Sequence, residues 1–137
     1  MAYAYDQNPM VSAVLPDDET SAYQMTRYLI RKGHKKIALL AGREDNLHTR
    51  RRLKGYQNAL FDAQILYNPR LVRYVDWNKP SGYQETKRLL KEDITAIFCM
   101  ADTIAGGVYQ YLDEQGLRAG RDVSVVGFDN HVLSEYM

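Results

Sequence analysis

Apolar residues in this chain come in short blocks, and the spacing between them changes from block to block. The runs VSAVL (11–15), IALLAG (37–42), LVRYV (71–75), AIFCM (96–100) and VSVV (123–126) have the length and density of strands. Between them the apolar positions open out to helical intervals. Ala22, Met25 and Leu29 recur at i, i+3 and i+7 within residues 20–32. Leu53, Tyr56, Leu60 and Ala63 mark a helix over 48–64, and Tyr83, Thr86 and Leu90 one over 81–91. A last helix carries Ile104, Val108 and Leu112 inward, with Asp102 as its cap and Gly116 as its end. Asp17, Asp18 and Thr20 all suit the N-cap of the first helix. Gly33, directly after Arg31 and Lys32, suits a left-handed stop with cations in the last turn.

Strands alternating with helices through short connections predict an α/β fold: three α/β/α layers around a mostly parallel, doubly wound sheet. Strands rich in Val, Ile and Leu fit a sheet covered on both faces. LVRYV alternates and belongs nearer an edge. Five parallel strands are expected, the last stopping at Val126 so that Gly127, Phe128 and Asp129 leave a carboxylate at its tip. Residues 1–10 carry no periodicity and read as a poorly ordered leading segment, with 11–137 as one domain.

Composition narrows the function. With 137 residues, 45% apolar and 26% charged, the chain suits one globular domain. Eighteen basic and seventeen acidic residues lack the basic excess of a nucleic-acid-binding face. No run approaches the ~20 apolar residues of a membrane span, and the first ten residues do not resemble a signal peptide. The single cysteine, Cys99, reads as a small buried hydrophobe in a reducing, cytoplasmic setting. His34, His48 and His131 lack ligand-like spacing, so no metal is expected. No nucleophile elbow, phosphate loop or dinucleotide fingerprint occurs, so neither catalysis nor a cofactor is expected. Gly106 and Gly107 weaken the last helix by about 1 kcal/mol each relative to alanine, which implies close packing on the sheet or on a partner.

Ligands of open parallel sheets bind beyond the carboxyl ends of the strands. On that rim the sequence gathers Pro16, Asp17, Asp18 and Glu19, then GREDNLHTRRR (42–52), then Asp76 and Trp77, Ala101 and Asp102, and Asp129. Arg50, Arg51 and Arg52 stand near a helix start, where cations oppose the macrodipole by about 0.3–1 kcal/mol. A carboxylate or an oxygen-rich ligand should offset them. Arg52 is placed to face the crevice, and an ion pair with Asp45 or Glu44 is the plain alternative. Trp77 offers a flat apolar face to a sugar ring or nucleobase, while Asp129 and Arg52 would bond its polar edge. A tryptophan covering a helix end, and an Asp129 that caps whatever follows, are the structural alternatives.

The blocks YLIRKGHKKIALLAG (28–42), RLKGYQNAL (52–60), SGYQETKRLL (81–90) and AIFCMADTIAGGVYQYLDEQGLRAGRDVSVVGFDN (96–130) resemble the LacI/GalR family of bacterial transcription regulators. The resemblance covers nearly the whole chain and matches the carboxyl-terminal lobe of that family's two-lobed, periplasmic-binding-protein-like module. The helix-turn-helix headpiece and most of the amino-terminal lobe have no counterpart here. It implies a small-molecule effector, a carbohydrate foremost, held by Arg52, Trp77, Asp129 and, less securely matched, Asp17. It also implies operator DNA bound only through the absent headpiece, and a homodimer in the longer protein. Ala101, where many sugar-responsive members carry Asn, removes one expected hydroxyl contact. The rival expectations are a periplasmic sugar-binding protein of a transport system and an α/β enzyme or phosphoacceptor domain. The Asp17–Asp18 pair hints at the latter, without the Thr/Ser and Lys it would need.

Overall fold

A computed structural model describes residues 17–129 and 132–136, with side chains through residue 127. Four strands run parallel: β1 (Ile37–Ala41), β2 (Val72–Tyr74), β3 (Ala96–Cys99) and β4 (Ser124–Asp129). β5 (Val132–Tyr136) pairs antiparallel with β4, giving the order β2-β1-β3-β4-β5. Four helices alternate with them: α1 (Asp18–Arg31), α2 (Leu47–Asp62), α3 (Lys79–Leu89) and α4 (Asp102–Glu114).

Several expectations change. The run at 11–15 and the leading segment 1–10 lie outside the described residues. The last predicted strand does not stop at Val126. β5 supplies partners for Gly127, Phe128 and Asp129, opposite Ser134, Leu133 and Val132, so the ladder runs three residues further. The sheet described is thus four parallel strands and one antiparallel edge, not five parallel ones. Asp102 is not a cap but the first residue of α4. The cap position is Ala101, whose methyl has no acceptor for the exposed backbone N–H groups. α3 begins earlier than expected because Asn78 caps it through Ser81 N and Pro80 suits its first turn.

The helices pair on opposite faces. Alternate residues of each strand point to opposite sides, so Ile37, Leu39, Ala96, Phe98 and Val126 meet Ala22 and Leu29 of α1 and Tyr56 and Leu60 of α2. On the other face Ala38, Leu40, Ile97, Cys99 and Val125 meet Leu89 of α3 and Ile104, Val108 and Leu112 of α4. Each large side chain so buried contributes about 1.5–3 kcal/mol.

Glycine makes both helix pairs possible. A Cβ on Gly55 would lie 2.1 Å from Glu19 O, and one on Gly107 2.1 Å from Lys79 O. Gly107 therefore admits helix α3, where packing on the sheet was expected.

At the amino ends of the strands the polar groups are spent internally. Tyr56 Oη donates to Ile37 O at 2.6 Å, and burial pushes its phenol far above the usual range. His34 links Thr95 Oγ1 (2.8 Å) and Ser124 Oγ (3.1 Å), tying the starts of β3 and β4 to the turn before β1. Cys99 is fully buried, and desolvation likewise raises its thiol.

Candidate functional site at the carboxyl rim

The chain passes from β1 outward to β2 and then returns to β3 on the other side of β1. The loops after β1 and β3 therefore diverge, which makes the gap between their carboxyl ends the topological switch point of the sheet. Register places the rim positions in one row. Leu40 pairs with Cys99 and Cys99 with Gly127, so Gly42, Ala101 and Asp129 follow two residues later on adjacent strands. Strands about 4.8 Å apart put Gly42 and Asp129 about 10 Å from each other.

Arg52 reaches this gap from the second turn of α2. Its Nη1 donates to Met100 O at 3.0 Å, directly past the end of β3, and its Nε donates to Asp18 Oδ1 at 2.9 Å. Both charged side chains are largely shielded, with 17% of Arg52 and 16% of Asp18 exposed, which strengthens their attraction relative to a surface pair. Asp18 Oδ2 lies 2.5 Å from His48 Nδ1, so one carboxylate serves two side chains of α2. For Arg52 the offset comes from Asp18 of α1 rather than from Asp45 or Glu44. Asp45 instead pairs with Arg43 at 3.5 Å, and its carbonyl accepts from Arg50 at 3.0 Å. Asn46 caps α2 through the N–H groups of His48 and Thr49.

Trp77 is half-buried and touches both halves of the core. Its ring crosses the end of β1 so closely that a Cβ on Gly42 would meet Cη2 and Cζ2 at 1.9 Å. Only glycine leaves room for the indole there. Asp17 caps α1: its Oδ1 accepts from Thr20 N and its Oδ2 from Thr20 Oγ1, each at 2.8 Å. Those two bonds, the backbone one foremost, hold its carboxyl below the usual 3.8. Asp129 ends β4 on the same rim, and its side chain lies outside the described residues.

Arg52, Trp77 and the backbone of Asp129 thus share one rim, with Asp17 beside them at the start of α1. Asp18 and His48 are the residues that reading the sequence missed. A signal for Asp18 existed in the acid pair facing an arginine cluster that lacked a counter-charge. Among the described residues no group of three or more His, Cys, Asp or Glu could hold a metal ion. No helix there is long and apolar enough to cross a membrane.

The family described as periplasmic binding proteins and sugar binding domain of LacI family matches residues 2–134. This chain belongs to that family. The ribose operon repressor of Haemophilus influenzae is 36% identical over 126 residues, 90% of this chain and 38% of the repressor. The transcriptional repressor PurR of Vibrio atlanticus is 33% identical over 132 residues, 95% of this chain and 40% of that protein. The chain therefore spans about two fifths of these relatives. Among solved structures, the regulator CelR in complex with cellobiose is 35% identical with a TM-score of 0.78, covering 84% of this chain and 36% of that one. A LacI-family regulator from Enterococcus faecium with bound ribose is 32% identical with a TM-score of 0.77, covering 84% of this chain and 43% of that one.

Proposed function

We propose that this chain is the carboxyl-terminal lobe of the effector-sensing module of a LacI-type transcription regulator. It forms one wall of a cleft that takes a small molecule, a carbohydrate foremost. The observation that carries the reading is the Arg52 guanidinium, held by Asp18 and the Met100 carbonyl at the switch point of the sheet. A donor oriented in this way contacts ligand oxygens without further ordering of its long side chain. Trp77 supplies an apolar wall across Gly42, and Asp129 accepts from ligand hydroxyls at the end of β4. Asp17 is a weaker contact than expected, since both of its oxygens already serve Thr20.

A second lobe, from chain outside these residues, closes the cleft. Ligand that prefers the closed arrangement shifts the population toward it, and the changed geometry of a homodimer alters the affinity of a separate headpiece for operator DNA. The protein works in the cytoplasm, and its carboxylates grip rather than catalyse. Relatives named as repressors favour this reading over a transport protein.

Calorimetric titration of the longer regulator with ribose and cellobiose tests the site. Arg52→Met and Trp77→Ala should each weaken the responding sugar at least about tenfold, the size of a charge-assisted hydrogen bond or a lost apolar wall. Unchanged affinity in both variants would overturn the assignment. So would sugar binding tighter than about 1 μM by the 137-residue chain alone, since half a cleft would then suffice.

A further inference from the structure

We infer that His48 is a positioning residue that acts on Arg52 through Asp18, so that the donor strength of the rim rises as pH falls. The inference rests on the reading of Arg52 as a ligand contact and adds its regulation. Geometry carries it. His48 and Arg52 stand four residues apart on α2 and therefore share a face of that helix. Asp18 approaches that face from α1, with one oxygen 2.5 Å from His48 Nδ1 and the other 2.9 Å from Arg52 Nε. The three side chains form a relay ending at the Met100 carbonyl.

The two ends of the relay differ in access to water. His48 is 61% exposed, while Asp18 and Arg52 are 16% and 17% exposed. The imidazole exchanges protons with solvent while the carboxylate and guanidinium are shielded from it. With a neutral imidazole, the charge of Asp18 offsets that of Arg52. Protonation sets a second cation on the same carboxylate, so the cluster gains one positive charge and the guanidinium attracts ligand oxygens more strongly.

The charged groups around His48 leave Asp18 as its partner. On α1, Asp17 is engaged by Thr20, and Glu19 accepts from Asn58 at 3.4 Å, almost three turns along α2. On α2 itself, Arg50 turns back to the Asp45 carbonyl, while Arg51 exerts its field on Asp17. In the loop after β1, the Asp45 carboxylate pairs with Arg43. From the end of β3, Met100 turns its carbonyl and its sulfur to Arg52.

Nitrogen-15 NMR of the ligand-free 137-residue chain tests the relay. The Arg52 Nε–H resonance should shift over the pH range in which His48 takes its proton. The shift should be lost in His48→Gln, which keeps a donor but cannot charge, and in Asp18→Asn, which cuts the link. A resonance that stays fixed while His48 titrates would overturn the proposal, as would a shift that survives in His48→Gln. Persistence in Asp18→Asn would overturn the route through the carboxylate. Because no ligand is present, failure here would remove the coupling and leave the role of Arg52 in binding to stand or fall by calorimetry.

Discussion

The two ends of the sheet use their polar groups in opposite ways. At the amino ends, Tyr56 donates to the backbone of β1, and His34 ties together residues at the starts of β3 and β4. The first bond ties α2 to β1, and the second pair bridges the starts of two adjacent strands. At the carboxyl ends the polar side chains come from α1 and α2 and reach over the strand termini, where Asp18 serves two partners at once. At both ends helices and turns supply the side chains, but at the amino end they bond to residues at the strand starts, whereas at the carboxyl end Asp18 and Arg52 bond to each other across two helices. The crevice in which open α/β sheets bind ligands lies at the carboxyl end, and there the charged side chains of α1 and α2 converge.

Substitutions at each end should separate stability from ligand contact. The largest effect should come from Gly55→Ala. Its methyl would lie 2.1 Å from Glu19 O, so α1 must move, at a cost of about 2–3 kcal/mol in urea unfolding. Because α1 also delivers Asp18, this change should damage the rim as well, which a variant confined to one end should not do.

Tyr56→Phe acts at the amino end alone. It leaves the Ile37 carbonyl without its 2.6 Å donor, for a loss of about 1–2 kcal/mol, while sugar affinity in the longer protein should stay constant. Asp17→Ala removes a helix cap at the carboxyl rim and should cost about 1 kcal/mol at neutral pH. Its pH dependence follows from the lowered carboxyl. The cap stabilises in full above the ordinary value of 3.8 and is lost as pH falls through the lower folded value. The wild type's advantage over Asp17→Ala should therefore shrink in acid, as thermal melts would show. Phe61→Ser should change stability least, within about 0.5 kcal/mol, because that ring is 81% exposed.

Several elements are legible in the sequence because their signals are local. Gly33 and Gly116 follow the last turns of α1 and α4 and take φ of +102° and +72°, as helix stops should. The alternation in LVRYV indicated an edge, and β2 is one. Asp102 misled because an acid before an apolar run suggests a cap, whereas here it sits one residue inside α4. The extension of β4 was hidden because Gly127 and Phe128 look like a stop until an antiparallel neighbour supplies their bonds.

The alternation of strands and helices, the rim on which Arg52, Trp77 and Asp129 lie, and the family can be read along the chain. All of these rest on patterns that repeat within a dozen residues or on motifs read in order. Which carboxylate meets Arg52 is instead a matter of helix packing. Asp18 lies 34 residues away and arrives through a helix crossing that a single glycine, Gly55, permits. Side-chain pairing over such separations depends on the distance and angle between two packed helices, and no local period in the chain encodes either.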